Sequence, residues 1–292
     1  MKIRKLGRSG IEVSEIGIGT EYLYKIPKKM VTSVINEAIK NDINYFDIVF
    51  NVSNYIENLS YAFKDYIEDI TIACHLGSIE KEGKVQRTRN IDYCEKAILK
   101  TIKKFGKGYI DIVNLQFVKE KEYEKIITSG GLIDLAKRLQ KEGKARFLGL
   151  STHNTIIGQK AAKTGEFDMI MNQISIANDL LPGREDFLKL CKNKGIGVVA
   201  IKPFAGGKLL QRNRTVSIAK YQSGGISWKK KIPRDITPIK CINYTLSQTG
   251  VSTTVPGVKN VEELKEILNF VNASSEEKDF SFVLREFNNN LT

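Results

Sequence analysis

The feature that most constrains this chain is an alternation that runs along its whole length. Short β-rich apolar runs take turns with amphipathic helical patterns. The apolar runs lie at 15–19 (EIGIG), 45–48 (YFDI), 70–75 (ITIACH), 109–115 (YIDIVNL), 145–151 (ARFLGLS), 169–173 (MIMNQ), 197–202 (GVVAIK) and 252–257 (STTVPG). They read as strands covered on both faces. Helical patterns stand between them, for example at 29–40, 92–105, 132–140, 185–193, 237–247 and 261–271. The last opens on Asn260 with Glu263 three residues on, the spacing of a capping box.

Strand–helix alternation demands a parallel sheet. Repeats at roughly thirty-residue spacing, in a chain near the usual ~250 residues, favour closure into a (β/α)8 TIM barrel. A doubly wound sheet is disfavoured because no glycine-rich dinucleotide fingerprint follows the first strand. Residues 2–14, with RSG at their middle, predict a β-hairpin capping the barrel bottom. No linker interrupts the pattern, so 1–292 is expected to be one domain.

Charge narrows the partners. Lys and Arg exceed Asp and Glu by 46 to 33, a formal +13, but the excess is spread over amphipathic and loop segments. The most concentrated stretch, 208–234, carries Tyr221 and Trp228 and reads as a solvated lid after the seventh strand. No helix-turn-helix, zinc-finger or RNP pattern accompanies it, so nucleic acid is not an expected partner. No apolar run reaches the ~18 residues that span a bilayer, and the first residues lack the apolar core of a signal sequence. A cytoplasmic protein with no membrane partner is expected. The four cysteines, at 74, 94, 191 and 241, form no CxxC pair and read as small buried hydrophobes in a reduced compartment, with no metal site.

In such a barrel, chemistry sits at the C-terminal strand ends and in the loops beyond them. That rule singles out Asp47, His75, Gln116, Ser151, Gln173, Lys202 and the turn at Gly257. Around them the sequence resembles the bacterial branch of the aldo-keto reductase family. The resemblance runs through RKLGRSGIEVSEIGIGT, INYFD, YIDIVNLQ, EGKARFLGLSTHN, NQIS, GIGVVAIKPFAGGKLL and GVSTTVPGVKNVEELKE. It implies an oxidoreductase that binds NADP or NAD in an extended pose. It also implies an Asp, Tyr, Lys and His at successive strand ends. The Asp is Asp47, but the other three positions hold Val52, His75 and Gln116. Tyr55 lies three residues past the expected tyrosine, as a displaced acid or as a packing residue.

The cofactor positions match better. Ser151 and Gln173 stand where the family holds the nicotinamide carboxamide, with Thr152 and Ile201 replacing the usual Asn and stacking aromatic. Lys202, Phe204 and Gly206, in KPFAGG, resemble the pyrophosphate loop. Gly257, Lys259 and Glu266 resemble the adenosine-phosphate clamp, with Glu263 in place of its Arg and Ile267 in place of its Asn. A carboxylate beside a 2′-phosphate repels it, so NADH is expected to be tolerated better than NADPH.

If Asp47 faces His75 as the counterparts do, the carboxylate holds the imidazole and the pair serves as general acid or base without a tyrosine. Gln116 either hydrogen-bonds a substrate oxygen or fills the space of a lost His. His153 either caps the fifth helix or touches ligand. Three functional readings follow. One is a divergent oxidoreductase acting on a small molecule. The second is a redox-neutral lyase or isomerase run by Asp47 and His75. The third is a catalytically silent binding protein. The substrate pocket is expected from loops 20–28, 118–130 and 208–234.

Overall fold

The computed structural model describes residues 1–179, 181–219 and 227–289. Its centre is a ring of parallel strands: β1 (Ile18–Gly19), β2 (Tyr45–Ile48), β3 (Thr71–Leu76), β4 (Ile110–Leu115), β5 (Ala145–Thr152), β6 (Met169–Gln173), β7 (Gly197–Ile201) and β8 (Val251–Val255). Each neighbouring pair is hydrogen-bonded in sequence order. Two isolated parallel bridges, Ile16 to Thr254 and Gly19 to Gly257, join β1 to β8 and close the ring. Helices α1 (Lys28–Lys40), α2 (Ser53–Phe63), α3 (Ile91–Phe105), α4 (Leu132–Lys141), α5 (Thr155–Thr164), α6 (Arg184–Asn193), α7 (Pro238–Ser247) and α8 (Val261–Asn272) follow the strands one by one. This is the (β/α)8 barrel that the alternation predicts.

Helix boundaries follow local chemistry. In α3 the Asn90 side chain accepts the Tyr93 N–H at the start, and Gly106 turns left-handed at the end. Cys94, Ile98, Thr101, Ile102 and Phe105 recur at helical spacing and are buried. Asn260 caps α8 by accepting the Glu263 N–H at 2.8 Å, as its spacing predicts. All four cysteines are free and buried.

The apolar interior has two parts, one between strands and helices and a smaller one inside the barrel. The inner part consists of Leu6, Val13, Tyr45, Ala73, Ile112, Met169, Met171, Val199 and Val255. Two of these residues do not come from the barrel strands. Leu6 sits in the predicted N-terminal hairpin (Ile3–Lys5 paired antiparallel with Glu12–Ser14), and Val13 is on its second strand. The hairpin therefore plugs the N-terminal end of the barrel, leaving the opposite end as the mouth.

Two ribbons were not expected from sequence. Ser78–Lys81 pairs antiparallel with Lys84–Arg87 directly after β3. The turn residues Glu82 and Gly83 both have positive φ (51° and 70°), the backbone that suits a tight right-twisting hairpin. The second ribbon, Thr215–Ala219 with Ser227–Lys231, corrects the reading of 208–234 as one solvated loop. In that ribbon Lys230 is 3% exposed and donates to the Phe287 carbonyl at 2.7 Å. The middle of the stretch, with Tyr221, lies outside the described residues, as does the side chain of Trp228. Among the described residues no helix is long and apolar enough to cross a membrane.

Because Leu6 is fully buried inside the barrel, Leu6→Ala is expected to cost about 2–5 kcal/mol. Urea unfolding followed by circular dichroism measures this directly; a loss below about 1 kcal/mol would mean the plug is not part of the cooperative core.

Candidate active site

The mouth is built by a two-residue rhythm. Inside a barrel strand alternate side chains point inward. The inner core takes Tyr45, Ala73, Met171 and Val199. The next inward positions on those strands are Asp47, His75, Gln173 and Ile201; Ser151 takes that place on β5, and on β4 Asn114 is registered with His75 and Gln116 follows two residues on. These residues form the last rung below the opening.

A cavity of about 680 Å³ occupies this end, within the range of small-molecule sites. Of the residues singled out in the sequence, Asp47, His75, Gln116, Ser151, Lys202, Phe204, Gly206, Gly257, Lys259 and Glu266 all line it. Tyr55 does not. Its ring is buried against Tyr24 and Phe50 at 6.1 and 6.0 Å, and its hydroxyl bonds to the Thr20 hydroxyl. Burial pushes its pKa well above the ordinary tyrosine range, so this position is a packing one. Val52, where the resemblance places the family's tyrosine, also misses this cavity and lines a separate one beside α3.

At the centre, His75 Nε2 lies 2.7 Å from Asp47 Oδ1, and both side chains are buried. An ionised carboxylate only accepts, so the ring donates through Nε2. His75 Nδ1 is then buried without a hydrogen-bond partner. The pair is held from behind. Thr20 Oγ1 donates to the Asp47 carbonyl at 2.6 Å, and Asn51 Nδ2 donates to the His75 carbonyl at 2.7 Å. Gln116 Nε2 donates to the Val49 carbonyl at 2.8 Å, so its amide ties β2 to β4 at the rim and has one N–H engaged.

Asn154, not His153, caps α5, accepting from Ile156 and Ile157. His153 lines the cavity edge-on to Phe117, 4.5 Å between ring centres. Loss of hydration, and then the Lys202 charge, push its pKa down to about 3.

The opposite arm of the cavity matches the form of a dinucleotide. Gln173, which the resemblance assigns to the carboxamide, does not line this cavity; it is 2% exposed and its Oε1 has no hydrogen-bond partner. Ser151 lines the wall on the neighbouring strand. Gly206 and Gly207 line the cavity with no backbone acceptor for their N–H groups among the described residues. At Gly257 a Cβ would lie 2.3 Å from the Tyr22 ring, so only glycine lets this ring close over the turn. The donor set therefore suits a nicotinamide carboxamide and a diphosphate. At the far end Glu263 Oε2 accepts the Lys259 N–H at 2.8 Å, placing a carboxylate on the α8 N-terminus beside Glu266.

The pocket sources differ from the sequence reading. Glu21 and Tyr22 come from 20–28, and Leu210 from 208–234, but 118–130 contributes no lining residue. Ser78, Val85 and Arg87 of the unexpected ribbon take that place. Their signal in the sequence was KEGK, a two-residue turn between short alternating runs.

The model of the Aldo/keto reductase family matches residues 15–283. An uncharacterized oxidoreductase of Bacillus subtilis is 26% identical over 94% of this chain and 92% of its own length. L-galactose dehydrogenase of Arabidopsis thaliana is 23% identical over 91% and 86%. An aldo-keto reductase from Bacillus halodurans, solved in its holo form, superposes with a TM-score of 0.76 at 21% identity, covering 98% of this chain and 96% of that one.

His153 gives a pH signature. Its folded pKa lies near 3, below the ordinary 6.5, so the unfolded chain binds the extra proton and stability falls as pH drops from about 6.5 toward 3. His153→Gln is expected to flatten that part of the melting-temperature profile; an unchanged acid limb would show that the ring protonates freely in the fold.

Proposed function

The chain belongs to the aldo/keto reductase family, whose members are NAD(P)-dependent oxidoreductases, and on that premise we propose that it reduces a carbonyl of a small molecule with His75 as the proton donor and NADH as the preferred cofactor. The carrying observation is the 2.7 Å contact of His75 Nε2 with Asp47 Oδ1, which leaves Nδ1 unpartnered in a buried wall of the cavity. Ser151, Gln173, Lys202, Phe204, Gly206, Gly257, Lys259 and Glu266 are assigned to hold the dinucleotide. When bound, the dihydronicotinamide would supply a hydride, a proton with two electrons, to the carbonyl carbon.

The remaining work falls to the dyad. Protonated at both nitrogens, His75 keeps Nε2–H on Asp47 and offers Nδ1–H to the carbonyl oxygen. As the oxygen gains charge the proton crosses from Nδ1, and the carbonyl becomes an alcohol. Asp47 stabilises the imidazolium before the transfer and orients the ring after it, the two tasks a carboxylate performs beside a catalytic histidine. Solvent at the mouth restores the proton. Phe50, Phe117 and Tyr22 restrict water around the reacting atoms.

The cofactor preference follows from charge. A 2′-phosphate beside Lys259 would meet the Glu263 and Glu266 carboxylates, and Glu263 already occupies the positive end of α8. The buried free cysteines agree with a reduced, cytoplasmic setting.

Calorimetric titration is expected to show NADH binding more tightly than NADPH, with Glu263→Arg narrowing or reversing the order. If neither nucleotide binds at millimolar concentration, the proposal fails. Asp47→Asn and His75→Gln are expected to lower kcat by about 10²–10⁴-fold while NADH affinity stays within a few fold. Full turnover in His75→Gln would remove it from the mechanism.

A further inference from the structure

The ribbon after β3 brings a cation to the reacting end of the cavity. Its register pairs Ser78 with Arg87, so Arg87 stands one strand spacing from the residue that ends three positions after His75. Arg87 lines the cavity and is anchored through Nη2 alone, 2.6 Å from the Phe117 carbonyl and 2.6 Å from Glu122 Oε1. Its guanidinium lies 4.9 Å from the Phe117 ring centre. Glu122 does not neutralise this charge, because it is shared. Arg89 donates to the same carboxylate through Nε at 3.1 Å and Nη2 at 2.9 Å. Two guanidinium groups on one carboxylate leave a surplus positive charge at the wall.

A second polar group points the same way. Ser78 lines the cavity, is 2% exposed, and its Oγ has no hydrogen-bond partner. A buried hydroxyl left without a partner carries a desolvation cost that a ligand acceptor would remove. The other ionised groups facing this cavity are committed or distant. Asp47 is paired with His75, Lys202, Lys259, Glu263 and Glu266 belong to the cofactor arm, and Glu21 enters from the loop after β1, two strands away. Val85 and Phe117 make the surface beside Arg87 apolar.

We infer that the substrate is a carbonyl compound with an apolar or aromatic body that carries a carboxylate, and that Arg87 and the Ser78 hydroxyl bind this carboxylate while the carbonyl meets His75. The assignment rests on the reductase reading above for the carbonyl, and on the ribbon alone for the acid. Arginine suits the role because its planar fork presents parallel N–H donors to a carboxylate.

The test uses 4-formylbenzoate and its methyl ester, aldehydes of similar size that differ by one charge. Each is titrated calorimetrically into the full chain, and each is offered with NADH for turnover. The acid is expected to bind about 10- to 100-fold more tightly than the ester, the range of charge-assisted hydrogen bonds. Arg87→Gln is expected to erase this preference and Ser78→Ala to reduce it, with the melting temperature of both variants close to that of the parent. Equal binding of acid and ester overturns the inference, as does an acid preference that survives in Arg87→Gln. If both aldehydes are turned over without acid preference, the carboxylate site alone fails. If the acid is preferred but neither aldehyde is reduced, the carboxylate site stands and the reductase reading fails.

Discussion

Filling the barrel from below leaves the chemistry only one place to go. Leu6 and Val13 enter from the N-terminal hairpin and meet Tyr45, Ala73, Met171 and Val199 inside the strands. With that layer packed, the next inward residues are lifted to the rim. A strand alternates strictly, so a polar residue at that position has no second face to turn to. It must be hydrogen-bonded or point into the cavity. Asp47 and His75 bond to each other and leave His75 Nδ1 open, Gln116 reaches across to Val49, and Gln173 remains with an open acceptor. The active-site wall is thus a by-product of core packing one layer down.

This explains why so much was legible in the sequence. Apolar strand runs mark the barrel, the hydrophobic layer inside them sets the phase, and the first polar residue past each run falls at the rim. Asp47, His75, Gln116 and Ser151 were located by counting, and the facing of Asp47 and His75 follows from strands β2 and β3 being neighbours. Tyr55 shows where counting stops. It lies on α2, where a rotation of 100° per residue decides between cavity and core, and the aromatic contacts with Tyr24 and Phe50 settle it for the core. The ribbon of Ser78–Lys81 and Lys84–Arg87 was missed for a different reason. Its strands are short and polar, so no burial pattern announces them, and only the Glu82–Gly83 turn betrays the reversal.

The electrostatic layout also departs from the family frame in one consistent direction. Where the resemblance implies a tyrosine–lysine pair, the chain has a carboxylate–imidazole pair. Where it implies an arginine at the nucleotide end, the chain has Glu263 bonded to its own backbone at Lys259. On the other wall Arg87 lines the cavity and shares the Glu122 carboxylate with Arg89. His153, whose charged form is disfavoured by loss of hydration and then by Lys202, adds no charge to the cavity wall at neutral pH.

The ribbon also has an evolutionary consequence. It leaves the barrel at Ser78 and returns at Arg87 without contributing a strand to the ring. Its length and its turn can therefore change while the ladder that carries Asp47 and His75 stays in register. Lineages descending from such a chain have a cassette that can drift by insertion, deletion or exchange, leaving the barrel and the Asp47–His75 pair to residues under separate selection. It is tethered at Ser78, whose carbonyl accepts from Asn51 Nδ2, at Glu80, which accepts from the Ser53 backbone at the start of α2, and at Arg87, which donates to the Phe117 carbonyl. Those contacts set how far the cassette can be rewritten before the fold feels it.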